Sequence, residues 1–208
     1  KVFKVSISVA ESCPNREGHN GSTVCIFCDE WGSAAYHHQQ DQPFRKQIQI
    51  NREAIRKRYR AEKFLIYFQA YTNTFGHFKE LESLYKEALL EKDVVGIVVG
   101  TRPDCLPKRI LQKFAKIAGE NYLSVELGVQ TFDDAQLRFL SRGHDSATAL
   151  KAIRKLKKLP GVNLCVHLMF GIPDETDAQI LKTADILSEQ KVDGVKLHNL
   201  HVLRNTPL

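Results

Sequence analysis

Short apolar runs alternate along this chain with stretches whose apolar positions recur every three or four residues. The runs at Val2–Ala10, Phe64–Ala70, Val94–Val99, Tyr122–Val129, Val162–Phe170 and Val192–Leu200 predict six strands. Between them, Gln47–Arg60, Leu81–Leu90, a segment beginning after Pro107, Ala135–Leu140, Ser146–Leu159 and Asp174–Gln190 carry helical spacing. Pro107 suits a first helical turn, where its missing N–H costs nothing. Nearly continuous apolar strands are those that crossover helices bury in parallel sheets. Six such steps predict an α/β fold, a parallel sheet curled as a partial (β/α)6, TIM-like barrel. No low-complexity linker interrupts it, so residues 1–208 form one domain. The chain starts almost on the first strand and stops directly after the sixth, as expected of a core truncated at both ends.

A chain of 208 residues builds one sizeable core. No apolar run is long enough to span a bilayer and no secretory signal is present. Five cysteines, three of them clustered, do not form a disulfide framework, which points to a reducing cytoplasm. The net charge of +6 is unevenly spread. Arg45, Lys46, Arg52, Arg56, Lys57, Arg58, Arg60 and Lys63 crowd one predicted helix. Lys151, Arg154, Lys155, Lys157 and Lys158 crowd another. Such faces bind phosphate backbones or are merely solvated, and composition does not choose between the two.

The chemistry concentrates in C-P-N-R-E-G-H-N-G-S-T-V-C-I-F-C, which places Cys13, Cys25 and Cys28 in one loop after the first strand. Cys105 and Cys165 stand apart. Three thiolates are one short of a closed tetrahedral zinc site. They suit a 4Fe–4S cluster with one iron left open to substrate or cofactor. On residue types alone, zinc completed by His19, His37, His38 or Asp29, or a redox disulfide between Cys25 and Cys28, remains an alternative. Active sites of such folds lie at the C-terminal ends of the strands. Polar strings gather there: F-Q-A-Y-T-N-T, G-T-R-P-D-C, E-L-G-V-Q-T, H-L-M-F-G-I-P and K-L-H-N-L-H. Polar groups in a barrel mouth cost free energy unless something pairs with them.

These strings, with L-S-R-G-H-D and V-K-L-H-N-L-H-V-L-R-N-T-P-L, cover nearly the whole chain in order. They resemble the radical S-adenosylmethionine (radical SAM) enzymes, and among them the YhcC/YtqA-type family related to the catalytic subunit of Elongator. Eleven residues separate Cys13 from Cys25, where the usual pattern has three; Elongator-type relatives also have a long first gap. The resemblance implies that Cys13, Cys25 and Cys28 hold three irons of a 4Fe–4S cluster. S-adenosylmethionine would chelate the fourth, and its one-electron cleavage would give a 5′-deoxyadenosyl radical. It implies that Phe27 packs by the adenine, that Thr72 and Asn73 meet the methionyl amine, and that Arg142 binds the methionyl carboxylate. Arg102 is expected to hold substrate or cofactor, or else to pair with Asp104. Glu126 and Gln130 share one face of their strand by two-residue alternation. His167 stands where some relatives have a ribose-binding aspartate. Of His198 and His201, which parity puts on opposite faces, only His198 is expected in the pocket. Kinship with Elongator implies tRNA as partner, with a wobble uridine as the target. It also implies a reductant such as flavodoxin or ferredoxin. Radical chemistry on a small metabolite or porphyrin-like molecule is the second reading, and a zinc-stabilised RNA-binding module the third.

Overall fold

The computed structural model describes residues 1–10, 12–19, 23–32, 42–76 and 78–208. Strands β1 (Val2–Ser8), β2 (Lys63–Gln69), β3 (Val94–Thr101), β4 (Tyr122–Gln130), β5 (Val162–Phe170) and β6 (Gly194–Asn199) form one sheet in that order. Every neighbouring pair is parallel. Helices α1 (Phe44–Tyr59), α2 (Phe78–Leu90), α3 (Lys108–Glu120), α4 (Asp134–Phe139), α5 (Ser146–Lys157) and α6 (Asp177–Gln190) make the crossovers. Among the described residues, β1 and β6 are each bonded on one side only. The sheet is nonetheless strongly curled: Lys4 of β1 and Lys196 of β6 both reach the carboxylate of Glu126 on β4. It is a half-barrel, open along one side.

Alternation separates two faces on each strand. On β4, Leu123, Val125, Leu127 and Val129 point outward and are fully buried. They pack with Ile66, Phe68, Ile97, Val99, Leu164 and Val166 of the other strands, under helix residues such as Ile48, Tyr85, Phe114 and Ile153. Burying one such side chain contributes about 1.5–3 kcal/mol, so this outer layer carries most of the stability. The inward set of β4 is Ser124, Glu126, Gly128 and Gln130, and it faces the interior with Tyr67, His167 and Lys196. The polar residues of the strands thus lie on the concave side.

Element boundaries differ from the sequence reading where a local interaction takes over. α3 does begin directly after Pro107, at Lys108, with Pro107 as its N-cap. α6 starts at Asp177, not Asp174, because Asp174 adopts a left-handed φ of 61° and Thr176 forms a capping box with Gln179. α4 and α5 are capped by Asp133 and Asp145. Gly96 lies where β3 first meets β4. A Cβ there would sit 2.3 Å from the Tyr122 carbonyl oxygen, so only glycine fits.

Candidate active site

The cysteine loop leaves β1 and is fastened at several points. The Cys13 carbonyl accepts from the backbone N–H of Arg16 at 3.0 Å, and that of Cys25 from Cys28 at 3.0 Å, so both ends fold as turns. Asn15, almost fully buried, donates from Nδ2 to Cys25 Sγ at 3.1 Å and to the Ser141 carbonyl at 2.5 Å. Its Oδ1 accepts from Arg102 Nη1 at 2.6 Å. Arg102 also grips both oxygens of Asp104, at 2.9 and 2.8 Å, and donates to the Arg142 carbonyl at 2.7 Å. Arg142 donates to the Gly128 carbonyl at 2.8 Å and to Cys25 Sγ at 3.3 Å, with its guanidinium 5.9 Å from the Phe27 ring. Phe27 itself packs on Leu140, Met169 and Ile172.

This wiring sets the electrostatics. The Cys25 thiol is pulled down, first by the hydrogen bond from Cys28, against the opposing effect of burial, and then by the charges of Arg142 and Arg102, while the same hydrogen bond and burial push the Cys28 thiol up. The arrangement favours a thiolate, the form that binds metal. Cys105 is the opposite case: burial, then the neighbouring Asp104 carboxylate, pushes its thiol up to about 12. Burial acts to raise the Asp104 carboxyl, but the two-pronged bond from Arg102 holds it below its ordinary value. His144 is pulled down to about 4 by burial and then by Arg142.

A cavity of about 340 Å³ opens on this loop, within the range of small-molecule sites. Cys13, Cys25 and Cys28 form one wall. Four side-chain atoms on residues that line it are buried and, among the described residues, have no hydrogen-bond partner: Thr72 Oγ1, Gln130 Oε1, Arg142 Nε and His198 Nε2. A buried polar atom left unpaired costs about 1–3 kcal/mol, so four on one cavity mark a surface shaped for a polar ligand. Gln130 reaches it from a left-handed φ of 74°, where the register of β4 slips against β5. A non-glycine residue in that region is strained, and such strain concentrates at functional sites.

The expected site residues fall into three groups. Phe27, Thr72, Gln130, Arg142 and the three cysteines surround the cavity mouth. Glu126 and His167 sit on its floor, joined at 2.6 Å. Arg102 and Asn73 serve differently. Arg102 touches the cavity, but its donors are spent on Asp104, Asn15 and the Arg142 carbonyl, so it braces the wall. Asn73 is absent from the cavity lining. Its Nδ2 donates to the carbonyls of Phe68, Ala70 and Gly100, which holds the turn that presents Thr72. His201 does line the cavity beside His198, contrary to the parity expectation, because β6 ends at Asn199 and alternation stops there. Asn15 was missed by the sequence reading, although it stands two places after Cys13 in the motif.

The zinc alternative fits poorly. A single zinc holds sulfurs at about 2.3 Å, which places them within about 4 Å of one another. Among the described residues, the three loop thiols do not come within 4.8 Å of one another as a set. His19 lies edge-on to Phe75 at 5.0 Å. His37 and His38 lie outside the described residues. All five cysteines are free thiols, so Cys25 and Cys28 are not bridged. Three clustered thiols, one short of a closed zinc site, would hold a 4Fe–4S cluster.

Residues 7–187 match the model of the Radical SAM superfamily. Protein YhcC of Escherichia coli (strain K12) is 37% identical over 207 residues, which cover 99% of this chain and 65% of YhcC. A tRNA uridine(34) acetyltransferase of Methanocaldococcus jannaschii is 32% identical over 121 residues, 57% of this chain and 22% of that protein. The fold overlays on the archaeal Elp3 of Methanocaldococcus infernus with a TM-score of 0.70 at 19% identity, covering 99% of this chain and 47% of that one. The chain thus spans slightly less than two thirds of YhcC's own length. The half-barrel, the cysteine wall and a family match over most of the sequence agree, and the chain belongs to the radical SAM superfamily of enzymes.

Proposed function

We propose that this enzyme reductively cleaves S-adenosylmethionine at a 4Fe–4S cluster and uses that chemistry to modify a wobble uridine of tRNA. The observation that carries the first half is the cavity, whose lining residues bring together three thiols and four unpaired polar atoms. When bound, the cluster and S-adenosylmethionine supply one-electron sulfonium cleavage and hydrogen abstraction. Cys13, Cys25 and Cys28 would hold the cluster. Arg142 has a free Nε for the methionyl carboxylate, and a planar guanidinium is well shaped for that group. The Thr72 hydroxyl would accept from the methionyl amine, and Gln130 would meet the ribose. Phe27, on its apolar seat, would cover the adenine and keep water out. The reductant would be a flavodoxin or ferredoxin, and the compartment a reducing cytoplasm. No helix among the described residues is long and apolar enough to cross a membrane.

The tRNA half is supported by the relative whose name states that substrate. In α1, Arg45, Arg52 and Arg56 are paired with Glu87, Glu91 and Asp93. Lys46, Lys57, Arg58 and Arg60 in and just after α1, and Lys151, Lys155 and Lys158 at α5, are exposed and form no ion pair among the described residues. RNA contact is proposed for these exposed basic groups. The test is anaerobic incubation of the full-length protein with S-adenosylmethionine, reductant and tRNA. 5′-Deoxyadenosine and methionine should form, and a tRNA hydrolysate should show an altered nucleoside. Absence of 5′-deoxyadenosine sinks the first half. Its formation with an unchanged nucleoside profile sinks the second and favours the small-metabolite or porphyrin-like reading.

A further inference from the structure

Beneath the cofactor wall the cavity ends in a polar floor that the proposed cofactors do not use. Taking the cavity as the site of reaction, we infer that this floor is a subsite for one carboxylate group of the substrate, held by Lys196 with Lys4 behind it. The Glu126 side chain has no solvent exposure. Its oxygens accept from Lys4, from His167 Nε2 at 2.6 Å and from Lys196 at 3.3 Å. Two ammonium groups against one carboxylate leave a single positive charge uncompensated. The imidazoles do not alter that sum. Burial, reinforced by Lys196 and Lys4 and opposed by Glu126, holds His167 below its ordinary value. Burial and then His167 and Lys196 do the same for His198. The Tyr67 phenol stays protonated, raised by burial and then by Glu126.

Donors remain available for a ligand. The Lys4 and Lys196 side chains are 45% and 38% exposed, and Lys196 lines the cavity while Lys4 stands outside its lining. Lys196 Nζ lies 3.5 Å from the hydroxyl of Tyr67, which lines the same cavity. A cation suits the floor less well. Glu126, Cys165 and His167 do bring ligand atoms within 4.8 Å of one another. A divalent ion there would have to displace two ammonium groups from the carboxylate or sit beside them. Among anions, the one excess charge matches a carboxylate. A phosphate dianion would leave a negative charge uncompensated where little water screens it.

The test titrates the purified full-length protein with 13C-labelled acetate and, separately, with inorganic phosphate, following NMR line broadening. Neither titration depends on a loaded cluster. Acetate should bind, Lys196→Met should weaken it about tenfold or more, and Glu126→Gln, which removes the competing carboxylate, should tighten it. Should Glu126→Gln fail to fold, Lys196→Arg replaces it: an arginine that keeps the charge should keep most of the affinity. Equal acetate binding by wild type and Lys196→Met, or tighter binding of phosphate than of acetate, overturns the inference. Formation of 5′-deoxyadenosine by the wild type is measured in parallel. Cleavage without Lys196-dependent acetate binding overturns the subsite and leaves the proposed function standing. Lys196-dependent binding without cleavage does the reverse.

Discussion

At the scale of single residues, position relative to one loop separates the five cysteines. Cys13→Ala, Cys25→Ala and Cys28→Ala should each abolish iron and sulfide incorporation on anaerobic reconstitution. Cys105→Ala should leave it intact, since that thiol is buried off the cavity with its proton held to about 12. Iron and sulfide assays with the visible spectrum decide the matter; loss of iron from Cys105→Ala would refute the three-ligand assignment. Arg142→Ala should weaken S-adenosylmethionine roughly ten- to hundredfold in a binding titration. It should also lower iron retention, because the same guanidinium bonds Cys25 Sγ. Glu126 gives a pH prediction. Burial acts to raise its carboxyl, but bonds from His167, Lys4 and Tyr67 prevail and hold it well below 4.5. A depressed folded value means that the stabilisation is complete above about pH 4.5 and is lost as pH falls below it. Acid unfolding of Glu126→Gln should therefore be flatter below pH 4.5, with lower stability at neutral pH. The cysteine triad, Arg142 and Gln130 were legible because their neighbours in sequence form motifs. Asn15, the bracing role of Arg102 and the Lys4–Glu126–Lys196 group were not. Each depends on partners 70 to 122 residues away, and alternation along one strand says nothing about what lies across a barrel.

At the scale of elements, all six strands and the helices between them were visible in the sequence, because the outer face of every inner strand is a continuous apolar layer. What local pattern could not supply were the exact ends, which belong to caps and left-handed residues. The Thr176 capping box starts α6, and Thr176→Ala should cost about 1 kcal/mol in chemical denaturation. Gly96→Ala is the harsher change. Its Cβ would overlap the Tyr122 carbonyl, so β3 and β4 would have to part, at about 1–3 kcal/mol or more. A Gly96→Ala protein with an unchanged denaturation midpoint would mean that this approach is looser than it stands here. The basic helix shows the same limit on local reading. A run of arginines was visible in α1, but the acids that pair with Arg45, Arg52 and Arg56 lie in α2 and in the turn after it.

At the scale of the whole molecule, β1 and β6 each pair on one side only among the described residues, and the polar interior lies between them. Lys4 and Lys196 meet over Glu126 and tie these two strands together without backbone pairing. The fastening of the cysteine loop has a further consequence, one of timing. Asn15, Arg102, Asp104 and Arg142 join the loop to β3, β4 and the turn after α4 by bonds that need no iron. Much of the entropy of ordering the ligands is therefore spent when the chain folds, not when the cluster arrives. Small metal-dependent domains behave otherwise and unfold when chelated. Here removal of iron should leave the far-ultraviolet circular dichroism nearly unchanged and lower the melting temperature only by the binding energy lost. Collapse of the secondary structure on chelation would show that the loop is not self-supporting. On the proposed cluster assignment, a cage that stands before it is filled can be emptied and refilled, so loss of the cluster need not cost the protein around it.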